Sequence, residues 1–135
     1  MQQTRVLIVD DNDMFVEMAT FVLRAATFLT ESASDAEQAA QRIPAFGPHL
    51  ILMDIQMPGT DGIALTRRLK ADPATQAIPI VAFTAYAAKG DEQGLKAAGF
   101  NGFIAKPVDV ETLAAQVRFW LEGPASARDS HFLWP

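Results

Sequence analysis

Five short apolar runs, separated by longer amphipathic ones, constrain this chain more than any other feature. Residues 5–9 (RVLIV), 28–32 (FLTES), 50–54 (LILMD), 78–84 (IPIVAFT) and 102–105 (GFIA) are of strand length, and Val, Ile and Phe dominate all but the second. Between them, residues 13–26, 35–42, 61–70 and 88–98 carry helical patterns, each long enough to cross over between parallel strands. A last helix is predicted over 110–121, with Leu113, Ala114, Val117, Trp120 and Leu121 on one side. Phe119 lies about 200° around that helix from Val117 and so faces away from the stripe. Strict alternation of strand and helix predicts an α/β fold, a doubly wound five-stranded parallel sheet with five helices on its two faces. Continuous apolar runs suit strands buried on both faces, and the more polar second run suits an edge.

Composition narrows the function. A chain of 135 residues, half of them hydrophobic, forms one domain with a real core rather than a disordered segment. Its net charge of −5 argues against a nucleic-acid partner, because such proteins present clustered Lys and Arg to phosphates. There is no Cys, hence no disulfide framework and no thiolate metal site. The apolar runs fall far short of the ~20 residues that span a membrane, and no charged-then-apolar leader precedes the first strand. A soluble, cytoplasmic protein without membrane contact is expected.

The polar residues fall at particular places on this frame. Asp10 and Asp11 follow the first strand, Asp54 ends the third, Thr84 ends the fourth and Lys106 follows the fifth. All lie at carboxyl ends of strands, where open parallel sheets bind ligands at the point of winding reversal, so the five are predicted to converge in one shallow cleft. Each also has a structural reading. Asn12 or Asp13 suits the cap of the first helix, although one cap leaves the remaining acids of 10–13 unexplained. Asp54 alone reads as a strand-end acid before the turn at Pro58 and Gly59, Thr84 as a helix cap, and Lys106 as a solvated residue before Pro107. Gly62 reads as a turn or a close approach. Met53, Met57 and Phe100 read as packing, and neither His49 nor His131 is placed for catalysis. Agreement in register across four strands favours a site.

Four segments, VDDN (9–12), MDIQMPGTDG (53–62), FTAY (83–86) and AKPV (105–108), stand in an order and at separations that resemble the receiver domains of two-component response regulators. The resemblance covers about residues 4–122, giving a receiver domain over 1–122 and a C-terminal tail over 123–135. It implies the flavodoxin-like (CheY-like) strand order 2-1-3-4-5. It also implies phosphorylation of Asp54 by a histidine kinase or a histidine phosphotransfer protein. Three carboxylates brought together repel and invite a cation, and an all-oxygen donor set favours Mg²⁺. By the resemblance, Asp11 and Asp54 are direct ligands, Asp10 acts through water and Gln56 contributes its backbone carbonyl. Lys106 would hold the phosphoryl oxygens, and the Thr84 hydroxyl would donate to one of them. Thr84, Ala85 and Tyr86 would then couple to Phe103, where many members have Tyr, so that any switch acts by packing alone. No enzyme is implied beyond Mg²⁺-dependent self-phosphorylation from a phosphohistidine donor and autodephosphorylation.

After residue 122 only 13 residues remain, too few for an effector domain, so signalling by contact with a further protein is expected. The expected surface is the face of the fourth helix, fifth strand and fifth helix, which includes Tyr86, Lys89, Phe103 and Phe119, and the chain is expected to be a monomer or a weak dimer through it or the tail. The ending HFLWP places Phe132, Leu133 and Trp134 where they either cover Phe119 or fray. Two neighbouring readings stay open: a receiver domain of a hybrid histidine kinase, and a receiver-shaped docking module that takes no phosphate. Other classes fit less well. An FMN protein needs a phosphate-cradling loop where this chain has the acidic 10–13. An aspartyl phosphatase of the haloacid dehalogenase type wants a second Asp where this chain has Gln56.

Overall fold

Runs of Val, Ile, Leu and Met without polar interruption need cover on both faces, and the fold provides it. The computed structural model describes residues 3–55, 62–84, 91–105 and 109–126, with the backbone alone at 84, 91–92, 105 and 122–126. Strands β1 (Arg5–Val9), β2 (Leu29–Ala33), β3 (Leu50–Asp54), β4 (Ile80–Thr84) and β5 (Gly102–Ala105) form one parallel sheet in the order β2-β1-β3-β4-β5. Helices α1 (Asp13–Ala25), α2 (Ala36–Phe46), α3 (Gly62–Ala71) and α4 (Asp91–Ala98) make the crossovers, and α5 (Val110–Ser126) closes the chain. α1 packs against α5, while α3 packs against α2 and α4, so two helical layers flank the sheet. Residues 6–9, 50–53 and 80–83 are wholly buried between those layers. β2, at the edge, alternates exposed and half-buried positions, as its polar sequence predicts.

Three strands run over the residues expected, and the other boundaries differ for local reasons. β2 starts at Leu29 rather than Phe28, because the Phe28 N–H bonds Leu23 O and belongs to the close of α1. β4 starts at Ile80 rather than Ile78. Pro79 has no N–H to give the ladder, and the Ile78 N–H is used on Thr75 O inside the preceding loop. α2 opens on Asp35, whose side chain accepts from the Gln38 N–H at 2.8 Å, and runs through Pro44 to Phe46 instead of ending at Arg42. Pro44 is exposed and within a turn of the helix end, while Ile43 is buried. Gly47, left-handed at φ 63°, then closes the helix with an N–H bond to Ile43 O. α4 begins at Asp91 rather than residue 88, and residues 85–90 lie outside the described residues. α5 continues to Ser126, past the expected end at 121.

α5 is fastened at two points. The Arg118 guanidinium lies 5.5 Å over the Phe28 ring, and its Nη2 donates to Ala26 O at 3.3 Å. Trp120 stacks directly on β5, where a Cβ at Gly102 would stand 2.4 Å from the indole Nε1. Phe119 is 39% exposed and meets the Trp120 ring edge-on at 5.7 Å, so the outward direction expected for it holds. The proposed covering residues, Phe132, Leu133 and Trp134, lie outside the described residues. Among the described residues, no helix is long and apolar enough to cross a membrane.

Candidate functional site

The winding of the sheet reverses between β1 and β3, which leaves a crevice at their carboxyl ends. Asp10 is the first residue beyond β1 and is only 2% exposed. Its N–H continues the ladder to Ala33 O at 3.0 Å, and its Oδ1 accepts the Asn12 N–H at 2.9 Å. Asn12 is the cap of α1, its Oδ1 accepting the Phe15 N–H at 3.1 Å. One residue therefore does the capping, as expected. The acids on either side of it do not cap the helix: Asp10 is turned inward and Asp11 lies at the surface. Asp54, the last residue of β3, is 3% exposed. One carboxylate oxygen from each of Asp10, Asp11 and Asp54 lies within 4.8 Å of the other two.

Like charges this close favour a cation among them. Two carboxylates about 5 Å apart repel by ~3 kcal/mol at an effective dielectric of ~20. The donor set consists of hard oxygens without nitrogen or sulfur, which fits Mg²⁺, a cation held by one or two carboxylates with water and phosphate oxygens completing the shell. Phe83, the ladder partner of Asp54, is packed closely. Phe15 of α1 meets Phe83 of β4 edge-on, with centroids 4.3 Å apart and planes at 90°. At the start of α3, a Cβ on Gly62 would lie 3.0 Å from Asp54 O and 3.3 Å from Met53 Cγ. Gly62 is thus a close-approach position, and any side chain there pushes on the backbone of Asp54.

The remaining expected site residues divide between placed and undescribed. The Thr84 backbone ends β4 opposite Ala105 of β5, one ladder step beyond the pairing of Asp54 with Phe83, so it shares the carboxyl edge with the acidic cluster. Phe103 is buried in β5 opposite Ala82. The Thr84 side chain, Gln56, Ala85, Tyr86, Lys89 and Lys106 lie outside the described residues. Asp10 and Asp11, adjacent in the sequence, and Asp54, more than forty residues on, are the expected residues that the described structure brings together. The Phe15–Phe83 contact escaped sequence reasoning, which marked both only as apolar positions on their elements.

Comparison with known proteins agrees with this geometry. The family model for the response regulator receiver domain matches residues 6–118. The response regulator PleD of Caulobacter vibrioides is 39% identical over 115 residues, which cover 84% of this chain and 25% of PleD. The chain thus spans about a quarter of that relative. The polar-differentiation response regulator DivK of Brucella anthropi is 33% identical over 116 residues, covering 86% of this chain and 94% of DivK. Among solved structures, the signal receiver domain of a signal transduction histidine kinase from Syntrophus aciditrophicus superimposes with a TM-score of 0.80 at 31% identity, over 89% of this chain and 91% of that one. The chain belongs to the response regulator receiver domain family.

Proposed function

We propose that this chain is a cytoplasmic phosphoacceptor of a two-component or phosphorelay system. It would take a phosphoryl group on Asp54 from the phosphohistidine of a histidine kinase or histidine phosphotransfer protein and signal by protein contact. The observation that carries the reading is the buried Asp54 carboxylate at the winding reversal, with oxygens of Asp10 and Asp11 within 4.8 Å. An Asp54 oxygen attacks phosphorus, the P–N bond of the donor breaks, and its electron pair leaves on the imidazole nitrogen. Water later attacks the same phosphorus, releasing inorganic phosphate and restoring the carboxylate. Asp11, Asp54, the Gln56 carbonyl and, through water, Asp10 would hold Mg²⁺, which would supply charge that offsets the carboxylates and the transferring oxygens. Lys106 donates to the phosphoryl oxygens, and the Thr84 hydroxyl donates to one of them. The loop at Ala85 and Tyr86 follows Thr84, and the buried Phe103 relays the change by packing, since Phe has no hydroxyl. In this reading residues 1–122 form the receiver and 123–135 a tail.

A protein donor needs a surface beside the acids. Met14 and Phe21, 80% and 76% exposed and two helical turns apart on α1, provide apolar area next to Asp11 and Asp13. Met14→Asp is expected to slow transfer from a phosphorylated histidine phosphotransfer protein by about tenfold while leaving uptake from acetyl phosphate unchanged. Equal slowing with both donors would remove α1 from the docking surface. The overlap with a quarter of PleD and the likeness to a kinase receiver support a second reading, a receiver within a longer signalling chain, which shares the same Asp54 chemistry.

Beryllofluoride, a stand-in for a bound phosphoryl group, tests the assignment. Wild type is expected to change its intrinsic fluorescence on beryllofluoride addition only with Mg²⁺ present, and Asp54→Asn is expected not to respond. Responses of equal size in both proteins would remove Asp54 from the role. Mg²⁺ binding without any response in wild type would leave the docking-module reading in its place.

A further inference from the structure

At the opposite edge of the sheet from the acids, a lysine holds together the two loops that lead into β4 and β5. Lys70, the penultimate residue of α3, is partly buried. Its ammonium donates to Ile78 O at 2.7 Å, to Asn101 Oδ1 at 2.9 Å and to Gln76 O at 3.3 Å. These described acceptors are all neutral oxygens, and burial pushes the ammonium down to about 8. The turn from α4 is shaped around this side chain. Gly99, at φ 109°, leaves no room for a Cβ, which would stand 2.7 Å from Lys70 Cγ.

Asn101 converts that clamp into strand register. Its Oδ1 accepts the Ile80 N–H at 2.9 Å while also accepting from Lys70, and its own N–H donates to Ile80 O at 2.7 Å. Asn101 therefore stands opposite Ile80, one step before the first ladder pair, Val81 with Gly102. β4 and β5 have five and four residues, so their ladder is short. A slip of one residue would displace one strand by about 3.3 Å and turn its side chains to the other face.

We propose that Lys70 and Asn101 are positioning residues for the phosphoryl group. Their clamp holds β4 and β5 in the register that ends with Thr84 opposite Ala105, the residue before Lys106 in sequence. This rests on the reading of Asp54 as phosphoacceptor with Thr84 and Lys106 as phosphoryl contacts. The cation ligands are set separately. Asp10 follows β1 and Asp54 ends β3, and these strands are held by the β1–β3 ladder, Val6 with Leu50 through Val9 with Met53, and by the β3–β4 ladder, Ile51 with Ile80 through Asp54 with Phe83, whereas the clamp sets β5 against β4. Loosening the clamp is therefore expected to separate two affinities that a general loss of structure would lower together.

The test measures Mg²⁺ affinity, beryllofluoride affinity at saturating Mg²⁺ and thermal stability on the full chain. It compares wild type with Lys70→Met and Asn101→Leu, and with the conservative Lys70→Arg and Asn101→Asp, which keep a donor or an acceptor in place. Lys70→Met and Asn101→Leu are expected to weaken beryllofluoride binding by about tenfold or more, since misplacement by an ångström is enough, and to leave Mg²⁺ affinity within about twofold. The conservative variants are expected to stay within about threefold of wild type. If Lys70→Met fails to fold, Asn101→Ser carries the same comparison. The inference is overturned if both affinities fall in parallel, or if beryllofluoride affinity is unchanged while stability drops, which would make the clamp purely structural. A wild type that binds no beryllofluoride overturns the phosphoacceptor reading and this inference with it. A responsive wild type with equally responsive variants overturns this inference alone.

Discussion

Replacing Asp10 with Asn is expected to stabilise the protein in Mg²⁺-free buffer while removing most of its affinity for Mg²⁺. Asn has nearly the same shape and keeps an oxygen that accepts the Asn12 N–H, so the turn into α1 is preserved. What is lost is one of three negative charges, two of them nearly inaccessible to water, whose oxygens lie within 4.8 Å of one another. At an effective dielectric of ~20 the repulsion between the two buried carboxylates is worth up to ~3 kcal/mol, and that with exposed Asp11 is less, so a rise of roughly 5–10 °C in the unfolding midpoint is expected. Addition of Mg²⁺ narrows or reverses the difference, because a cation at a hundred times its dissociation constant stabilises wild type by about 2.7 kcal/mol and the variant by much less. Asp10→Ala should gain less than Asp10→Asn, since it leaves the Asn12 N–H without its acceptor. Thermal melts of the three proteins with and without Mg²⁺ check this. A variant that is less stable than wild type in Mg²⁺-free buffer would show that the acids are structural.

Gly102→Ala is expected to be among the most damaging single-methyl additions in the chain. The new Cβ would lie 2.4–2.6 Å from three atoms of the Trp120 indole, well inside any contact distance. Neither partner can move freely. Gly102 is the first residue of the β5 ladder, opposite Val81, and Trp120 is buried on α5. The indole Nε1 is buried with no hydrogen-bond partner among the described residues, so the close packing already has a polar group in an apolar setting. Overpacking of this kind costs about 1–3 kcal/mol, and the upper end is expected here because β5 and α5 must separate. Trp120→Leu in the Gly102→Ala background should recover part of the loss, a non-additive result that urea unfolding of the single and double variants would reveal. Strict additivity would mean that the clash is relieved elsewhere.

Much of this architecture is legible in the sequence because it depends on patterns that a few residues determine. The runs at 5–9, 50–54 and 102–105 have the bounds of β1, β3 and β5 because each has an unbroken apolar stretch bounded by a polar residue or glycine. The runs at 28–32 and 78–84 were less sharply bounded, since Phe28 and Ile78 are apolar yet give their N–H groups to local turns. The pattern over 35–42 stops short of α2, because the buried Ile43 and the αL glycine at 47 carry the helix through Pro44 to Phe46. For the acidic cluster, sequence position sufficed once the resemblance supplied the strand order: a carboxylate at the end of the third strand and two after the first meet when those strands are parallel neighbours. The Lys70–Asn101 clamp was not legible. Its acceptors include backbone carbonyls of a loop, which carry no residue signature, and Lys70 reads as an ordinary cation at a helix end. The contact of Trp120 with Gly102 was equally hidden, because helical periodicity shows which way a residue faces but not how closely it approaches.

The central claim is that Asp54 is where the phosphoryl group arrives. The direct measurement is the intact mass of the chain after incubation with acetyl phosphate, with and without Mg²⁺, for wild type and Asp54→Asn, followed by peptide mapping of any adduct. One phosphoryl group is expected on wild type, dependent on Mg²⁺ and located on the peptide containing Asp54, and none on Asp54→Asn. An adduct of the same yield on Asp54→Asn, or none on a folded, Mg²⁺-binding wild type, would contradict it.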